Sequence, residues 1–329
     1  MRHHDLKVFF FDRHRGAEIF TRAVQGAYVG FDGDEKNVSL NPFDCRNTPN
    51  NRAFLRRWLK AITMVDDALS EKEIGRAVTT AFDYLKPEER ILKNLYKSCF
   101  SPTGNMRREL FRWINPDQYG NIFNAENDSL DLASKRFMAF DFTHIFEDET
   151  LAPAVISYIM HRIMAETGDT GVPSLIMIDE TAPMLKHPMF RDYFIIGLQE
   201  GRKKRQAYLC AFQQPNIIDK LGVGEVIRGQ CQTVIFFRNP QAMPEDYANW
   251  NLTQREIDFI FGKSYRDFPY AILLSRPATG ESVILDVDLS GLGSYLKLYN
   301  SGRKNVLLVE ELIKEYGEAN FVTKYLNIG

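Results

Sequence analysis

The chain has 329 residues, of which 44% are hydrophobic and 26% are charged, and its 41 Lys and Arg residues nearly balance 43 Asp and Glu residues. These totals exclude a disordered chain, a small disulfide-stapled scaffold and a membrane-embedded protein. They also exclude a global basic field that would attract nucleic acid or anionic lipid, so any site for a polyanion has to be local.

The first element is a short apolar run at residues 6–12, LKVFFFD, which ends in Asp12. The following stretch, RHRGAEIFTRAV, places Ile19, Phe20 and Val24 at helical spacing. This pattern predicts a strand, a loop and a helix in that order.

The middle of the chain follows a different pattern. Between about residue 50 and residue 120, amphipathic segments of helical periodicity follow one another, and the turn-forming stretches SPTGN and NPDQYGN come after them. We therefore predict an inserted all-α subdomain at residues 46–125 and an α/β core that consists of residues 1–45 and 126–329.

The second half of the chain contains further runs of strand length that are almost continuously apolar, which favours a sheet buried by helices on both faces. These runs are residues 136–142, 173–179, 207–213, 232–238, 270–276 and 282–289. A helical stripe at residues 151–167 separates the first two, and this alternation predicts a mostly parallel α/β sheet. Only PATGE separates the last two runs, which indicates an antiparallel hairpin at the edge of that sheet.

Two adjacent acids, Asp179 and Glu180, follow the apolar run SLIMI. Open α/β folds bind their ligands at the carboxyl ends of the strands. In NTPases with a phosphate-binding loop, the first acid of such a pair orders Mg²⁺ through its water shell, and the second polarises the attacking water. Asp179 is then the metal acid and Glu180 the base. The alternative is that the pair starts a loop or caps a helix that begins with Thr181 and Pro183.

The next apolar run leads into Gln213 and Gln214. An amide side chain can donate to a γ-phosphate and accept from its attacking water at the same time, so these residues are candidates for a nucleotide sensor beside the acid-bearing strand. The alternative is that they only start a loop before Pro215.

A cationic cluster, RKKR at residues 202–205, lies between these two runs at the end of a predicted helix. The helix dipole stabilises cations at that end, so a solvated structural cluster is the simplest interpretation. The alternative is an arginine that acts in trans on the nucleotide of a neighbouring subunit. Arg202 and Arg205 are the candidates, because a planar guanidinium suits phosphate oxygens.

Several stretches, taken together and in their order along the chain, resemble one protein family, and the resemblance covers nearly the whole chain. They are VFFFDRHRGAEIFTRA, NDSLDLASKRFMAFDFTHIFEDETLAPAVISYIMHRI, SLIMIDETAPML, GRKKRQAYLCAFQQ, TVIFFRNPQAMPEDY, NLTQREIDFIFG and LDVDLSGL. The family is the large cytoplasmic assembly ATPase of type IV secretion and conjugation systems, a motor of the HerA/FtsK-like group with a RecA-like P-loop NTPase core.

The resemblance implies ATP and Mg²⁺ as cofactors, with Asp179 and Glu180 as the Walker B pair and Gln213 or Gln214 as the sensor. It places the arginine-bearing segment of the subunit boundary at residues 202–205. It also implies a homohexamer at the cytoplasmic face of the bacterial inner membrane, in contact with other inner-membrane secretion components. Such a motor energises pilus assembly and the export of protein or DNA.

One part of the family pattern does not occur in this sequence. The phosphate-binding loop GxxxxGK[ST] of the family precedes the strand that here reads LKVFFFD, and no such loop is present anywhere in the chain. Its amides and its Lys supply most of the phosphate contacts, so this chain alone is not expected to hydrolyse ATP. We expect a fragment of a longer ATPase, whose missing first strand leaves an exposed sheet edge. The alternative is a variant that has lost its nucleotide site.

Two other functions stay open from the sequence. One is a non-catalytic docking subunit of the same machinery. The other is a nucleic-acid-binding module that uses the cationic cluster at residues 202–205, or Arg107, Arg108, Arg112 and Trp113, because basic residues beside aromatic ones can follow phosphates and stack on bases.

The compartment is predicted from what the sequence lacks. Its four cysteines, Cys45, Cys99, Cys210 and Cys231, are dispersed and have no zinc-like spacing, which favours a reducing environment. No apolar run approaches the roughly 18 to 20 residues that a membrane span needs, and residues 1–7 show no signal-peptide pattern. We therefore expect a cytoplasmic protein that is peripheral to the membrane.

Overall fold

The computed structural model describes residues 6–31 and 39–328. Residues 1–5, on which part of the signal-peptide argument depends, lie outside the described residues. Among the described helices, none combines the length and the apolar character needed to cross a bilayer.

Five parallel strands form the central sheet, and their order across the sheet is β2-β3-β1-β4-β5. They are β1 (Lys7–Asp12), β2 (Ala27–Gly30), β3 (Phe137–Asp141), β4 (Ser174–Ile178) and β5 (Gln206–Cys210). The predictions of a mostly parallel α/β sheet and of four of these strands are confirmed. The strand β2 was not predicted, because its four residues, AYVG, form a shorter run than the other strands of this sheet and are only half-buried.

Fourteen α-helices accompany the sheets in the described residues. They are α1 (Glu18–Ala23), α2 (Pro49–Thr63), α3 (Ala68–Asp83), α4 (Leu92–Cys99), α5 (Asn105–Ile114), α6 (Gly120–Phe123), α7 (Leu151–Thr170), α8 (Thr181–Leu185), α9 (Pro188–Glu200), α10 (Ile217–Lys220), α11 (Gly224–Gln230), α12 (Gln254–Ile260), α13 (Arg303–Tyr316) and α14 (Phe321–Asn327). Short 3₁₀ helices lie at Pro87–Glu89, Ile145–Glu147, Pro244–Trp250 and Ser290–Tyr299.

The main core lies on the face of the sheet that α7 and α9 cover. Phe11 of β1 stacks on Phe142 with ring centroids 5.4 Å apart, and both are fully buried. Ile159 and Ile163 of α7 belong to the same buried cluster. Each such side chain contributes about 1.5–3 kcal/mol to folding through burial, so the strand ends are held on a rigid base.

The helices α2 to α6 occupy residues 49–123 and pack into this same core. Trp58 of α2 is fully buried and donates its indole N–H to the carbonyl of Ala154 in α7, at 3.1 Å. Trp58 also packs on Phe123. The division into a core of residues 1–45 and 126–329 and a helical subdomain of residues 46–125 stays a prediction, because these helices share one hydrophobic cluster with the sheet.

A second sheet of three antiparallel strands consists of β6 (Val234–Phe236), β7 (Ala271–Arg276) and β8 (Glu281–Asp286), in that order. The β7–β8 hairpin is confirmed, but its expected position at the edge of the parallel sheet is wrong. The expectation that all these strands are buried on both faces is also wrong, because β8 is mostly exposed. Apolar runs predict strands, but they do not specify which strands pair.

The terminal helices α13 and α14 pack on α1. Ile19, Val306, Val309 and Phe321 form a small buried cluster there, and Arg22 of α1 forms an ion pair with Glu318 at 2.7 Å.

Candidate functional site

Three neighbouring strands of the parallel sheet deliver an aspartate at the same edge. Asp12 ends β1 and lies opposite Asp141, which ends β3. On the other side of β1, Phe11 lies opposite Ile178, so Asp179 follows β4 at the level of Asp12. Adjacent strands are about 4.8 Å apart, so the three carboxylates form a row along the carboxyl edge of the sheet.

Asp12 is the buried member of this row, at 1% exposure. Its Oδ2 accepts the backbone N–H of Ala17 at 2.8 Å and the hydroxyl of Tyr28 at 3.0 Å. Its Oδ1 is buried and has no partner among the described residues. Burial raises the pKa of Asp12 to about 6, and the negative charge of Asp141 adds to the rise.

Asp12 is wrapped by the β1–α1 loop, which comprises residues 13–17. His14 and Arg15 both have left-handed backbones, with φ of 60° and 59°, a conformation that costs a non-glycine residue on the order of 1 kcal/mol or more. Gly16 comes so close to Asp12 that a Cβ there would lie 2.9 Å from Oδ1. The side chains of Thr143 and Asp12 accept the backbone N–H groups of His14 and Ala17, and these contacts hold the loop in this conformation.

The predicted catalytic pair, Asp179 and Glu180, follows β4. Asp179 is exposed, and its backbone N–H donates to the carbonyl of Phe11 at 3.0 Å. Glu180 is half-buried and has a left-handed backbone with φ of 51°. Helix α8 begins at Thr181, as the structural alternative expects, but the Glu180 side chain makes no capping hydrogen bond to it. The Glu180 carboxylate is therefore left for another contact.

That contact is Arg13, the first residue of the β1–α1 loop. Its Nη1 donates to Oε2 of Glu180 at 2.5 Å, and the two side chains are 30% and 25% exposed. The guanidinium also lies over the ring of Phe146, 5.5 Å from its centroid. Residues from two adjacent strand ends are thus joined across the edge of the sheet.

Gln213 and Gln214 follow β5, the strand next to β4, and both side chains are exposed. They lie on the same edge as Asp179 and Glu180, so four of the six predicted site residues come together. Strand β5 is also an edge strand, because no further described strand pairs with it. Its Leu209 side chain is 48% exposed.

Arg202 and Arg205 lie at the opposite edge of the sheet. Arg205 immediately precedes β5, and its Nη1 donates to the carbonyl of Gly171 at 3.3 Å. Both arginines are exposed, and a strand of five residues separates them from the acids by about 15–20 Å. The structure therefore does not bring the two arginines to the acids of the same chain.

Sequence reasoning did not identify Asp12, Asp141 and Arg13 as site residues. The signal was present, because β1, β3 and β4 read FFFD, MAFD and IMID, each an apolar run that stops at an aspartate. Arg13 follows the first of these aspartates. Its contact with Glu180 depends on strand order, which the sequence alone does not specify.

The described residues offer few ligands for a metal ion. Among residues 6–31 and 39–328, no three His, Cys, Asp or Glu side chains form a group that could hold a metal ion. Mg²⁺ in nucleotide sites commonly keeps several waters and is held by one or two carboxylates plus phosphates, and an exposed acid such as Asp179 suits that coordination.

Four of the residues named for nucleic-acid binding, Arg107, Arg108, Arg112 and Trp113, lie on α5. Trp113 is fully buried and donates its indole N–H to the carbonyl of Ile62 at 3.1 Å, so its ring cannot stack on a base. Arg108 and Arg112 both form ion pairs with Glu109. Arg107 lines an open cavity of about 400 Å³ on this helical region. These contacts favour a structural role for α5 over nucleic-acid binding.

Comparison with known proteins relates the chain to secretion proteins. It is 29% identical over 321 residues to the type IV secretion system protein virB4 of Bartonella henselae, which covers 95% of this chain and 40% of that protein. It is 25% identical over 322 residues to the type IV secretion system protein PtlC of Bordetella pertussis, over 94% of this chain and 38% of that protein. No family model matches the chain.

Among solved structures, VirB4 of Thermoanaerobacter pseudethanolicus matches with a TM-score of 0.66 and 12% sequence identity, over 86% of this chain and 81% of that one. At this identity the match concerns the fold, which the two chains share. The chain spans about two fifths of the length of the relatives it matches in sequence.

Proposed function

We propose that this chain, which is 29% identical to a virB4 protein of a type IV secretion system, is the motor part of an ATPase that energises such a system. The observation that carries the proposal is the carboxyl edge of the parallel sheet, where Asp179, Glu180 and Gln213 follow two neighbouring strands. This is where open α/β folds bind their ligands.

The proposed roles follow from the chemistry of each side chain. Asp179 orders Mg²⁺ through its water shell, and the metal neutralises charge on the phosphates of ATP. Glu180 accepts a proton from the attacking water. Gln213 or Gln214 contacts the γ-phosphate or that water, because an amide both donates and accepts.

The cationic cluster has a role only between subunits. Because Arg202 and Arg205 lie on the edge opposite to Glu180, we propose that one of them reaches the nucleotide of a neighbouring copy in a ring, which is a hexamer in the full-length protein. Partners at the cytoplasmic face of the bacterial inner membrane, and cargo of protein or DNA, belong to the same proposal.

The phosphates need a cradle that these residues do not provide, since GxxxxGK[ST] does not occur in this sequence. Strand β5 supports a specific place for it. A further parallel strand that pairs with the open edge of β5 would bring a loop at its carboxyl end next to Gln213 and one strand further from Glu180.

The test is Glu180→Gln in the full-length native protein that carries this sequence. We expect binding of ATP and Mg²⁺ to be retained and steady-state hydrolysis to fall by about 1000-fold, because an amide cannot accept the proton. Glu149→Gln, an exposed acid before α7, is the matched control. Retained hydrolysis, or loss of nucleotide binding with an intact fold, contradicts the role of Glu180.

The sequence leaves a second candidate open, a non-catalytic docking subunit of the same machinery. Peptide mapping of the protein from its own cells separates the two candidates. Peptides that carry GxxxxGK[ST] upstream of residue 1 support the ATPase. A native chain that starts at residue 1, binds secretion partners and ignores ATP supports the docking subunit.

A further inference from the structure

We propose that Arg13 is a positioning residue that holds the carboxylate of Glu180 in the orientation needed to activate water. This inference rests on the proposed ATPase function, and it assigns a role to a residue outside the acid pair. It is carried by the contact between two strand ends and by the loop that fixes one of them.

The ion pair with Arg13 engages one of the two carboxylate oxygens of Glu180. Nη1 of Arg13 donates to Oε2 at 2.5 Å, whereas Oε1 accepts no hydrogen bond from the part of the chain that the structure describes. A carboxylate held by one oxygen keeps the other free to accept a proton from water. Charge-assisted hydrogen bonds of this kind are short and directional, so the pair fixes where Oε1 lies.

The guanidinium is itself held in place. It lies over the ring of Phe146, 5.5 Å from the centroid, and its Nε is buried without a partner in the described residues. Phe146 follows β3, so the Arg13 side chain spans from the end of β3 to the end of β4. Glu180 is the one carboxylate with which Arg13 forms an ion pair in the described chain.

The backbone that carries Arg13 is fixed by the loop behind it. The N–H of His14 donates to Oγ1 of Thr143 at 2.6 Å, and Oγ1 of Thr143 donates to Asp141. The N–H of Ala17 donates to Asp12. These contacts hold the left-handed backbone of His14, whose cost a surface ion pair alone would not offset.

Glu180 meets Arg13 from a second left-handed position, with φ of 51° and ψ of 57°. Strained residues therefore stand on both sides of the same ion pair. Strain of this kind persists where surrounding structure imposes it, and it concentrates at functional sites. An exposed ion pair does not need left-handed backbone beside both of its partners, so the strain at His14 and Glu180 points to a functional role for the Arg13–Glu180 pair.

The experiment compares Arg13→Gln, Arg13→Lys and Arg52→Gln in the full-length native protein. Arg52 of helix α2 is the matched control. Like Arg13, it pairs with a carboxylate, that of Asp83, and its guanidinium lies over an aromatic ring, 5.2 Å from the centroid of Phe82. We expect Arg13→Gln to lower kcat by about 10- to 100-fold, since misplacement of a base by about 1 Å costs that much. The KM for ATP stays within about twofold, because Arg13 contacts the base and not the nucleotide.

The conservative variant and a double variant make the result specific. Arg13→Lys keeps a charge but loses the planar fork, so we expect an intermediate kcat. In a single-turnover assay, Arg13→Gln combined with Glu180→Gln is expected to react no more slowly than Glu180→Gln alone, because the two residues act as a unit. Arg52→Gln keeps the wild-type kcat.

Three results overturn the inference. One is a wild-type kcat for Arg13→Gln while Glu180→Gln abolishes turnover, which leaves the proposed function standing. Another is an additive loss in the double variant, and a third is an equal loss for Arg13→Gln and Arg52→Gln. Should Arg13→Gln not fold, Arg13→Lys decides by the same kcat and KM comparison. Wild-type turnover by Glu180→Gln contradicts the proposed function itself.

Discussion

The two edges of the parallel sheet differ in charge. The carboxyl edge carries Asp12, Asp141, Asp179 and Glu180. At the amino edge, cations begin or precede the strands, with Lys7 at β1, Arg136 before β3 and Arg205 before β5. The same strands thus separate acids from cations by about 15–20 Å.

This separation limits what one copy of the chain can do. In the proposed ATPase the acids order the hydrated metal and activate water, but no cation of the 202–205 cluster reaches them within the same chain. Arg13 is the cation that contacts the acid pair, and it is engaged by Glu180. In the proposed ATPase, the cation that stabilises phosphate charge is therefore expected from a phosphate-binding loop or from a neighbouring copy.

The largest effect on ATP hydrolysis is expected from substitutions at the amino edge. We predict that replacing both Arg202 and Arg205 by Gln in the full-length protein lowers kcat by about 1000-fold, as loss of an arginine supplied by a neighbouring subunit does. Mixing this variant with Glu180→Gln should restore activity above the sum of the two. An intact site then forms where Glu180 of the first variant meets the arginines of the second.

The control for that mixture is Lys203→Gln, an exposed cation in the same cluster, which should keep near wild-type activity. ATP hydrolysis is measured after the subunits have been mixed and reassembled. A mixture that is only as active as the sum of its parts contradicts action in trans, and it leaves the cluster with its structural interpretation.

The next largest effect on ATP hydrolysis is expected from a substitution at the carboxyl edge. We predict that Asp179→Asn lowers kcat by about 100-fold or more and raises the Mg²⁺ concentration needed for half-maximal rate, because the variant loses the charge that attracts the hydrated metal. Asp286 is a matched control, since it also ends a strand and is exposed but lies in the antiparallel sheet. Equal Mg²⁺ dependence in Asp179→Asn and the wild type would contradict the metal role.

Much of the parallel sheet could be predicted from the sequence, because its strands are apolar on both faces and stop at polar residues. Asp179, Glu180 and the two glutamines were found for that reason. Asp12 and Asp141 stand in the same kind of position but lack a neighbouring acid, so local sequence gave them no distinction. Their proximity depends on the order β3-β1-β4, which long-range pairing decides.

The antiparallel sheet could not be predicted in full for a related reason. The run at residues 232–238 yields only three paired residues, Val234–Phe236, and one face of the sheet packs on Tyr247 and Phe259 from a 3₁₀ helix and from α12. The other face remains open, with Phe237 at 70% exposure. An apolar run reports the propensity to form a strand, whereas the coverage of each face depends on elements distant in sequence.

The third prediction concerns Asp12, the one acid of the carboxyl edge that is fully buried. Its pKa is raised from 3.8 to about 6, chiefly by burial, so between these pH values the folded state retains a proton that the unfolded state releases. The free energy of unfolding therefore falls as the pH rises from about 4 to 6, and the loss persists above pH 6. A shift of about two pKa units corresponds to about 3 kcal/mol.

Asp12→Asn removes this titration while an amide oxygen can still accept from Ala17 and Tyr28. We predict that the difference in free energy of unfolding between the variant and the wild type changes by about 3 kcal/mol in favour of the variant between pH 4 and pH 7, measured by urea unfolding at each pH. Asp267→Asn, an exposed acid between α12 and β7, should show a much smaller change. A pH-independent difference for Asp12→Asn would mean that Asp12 is as well solvated as Asp179, and the contrast between buried and exposed acids at this edge would be lost.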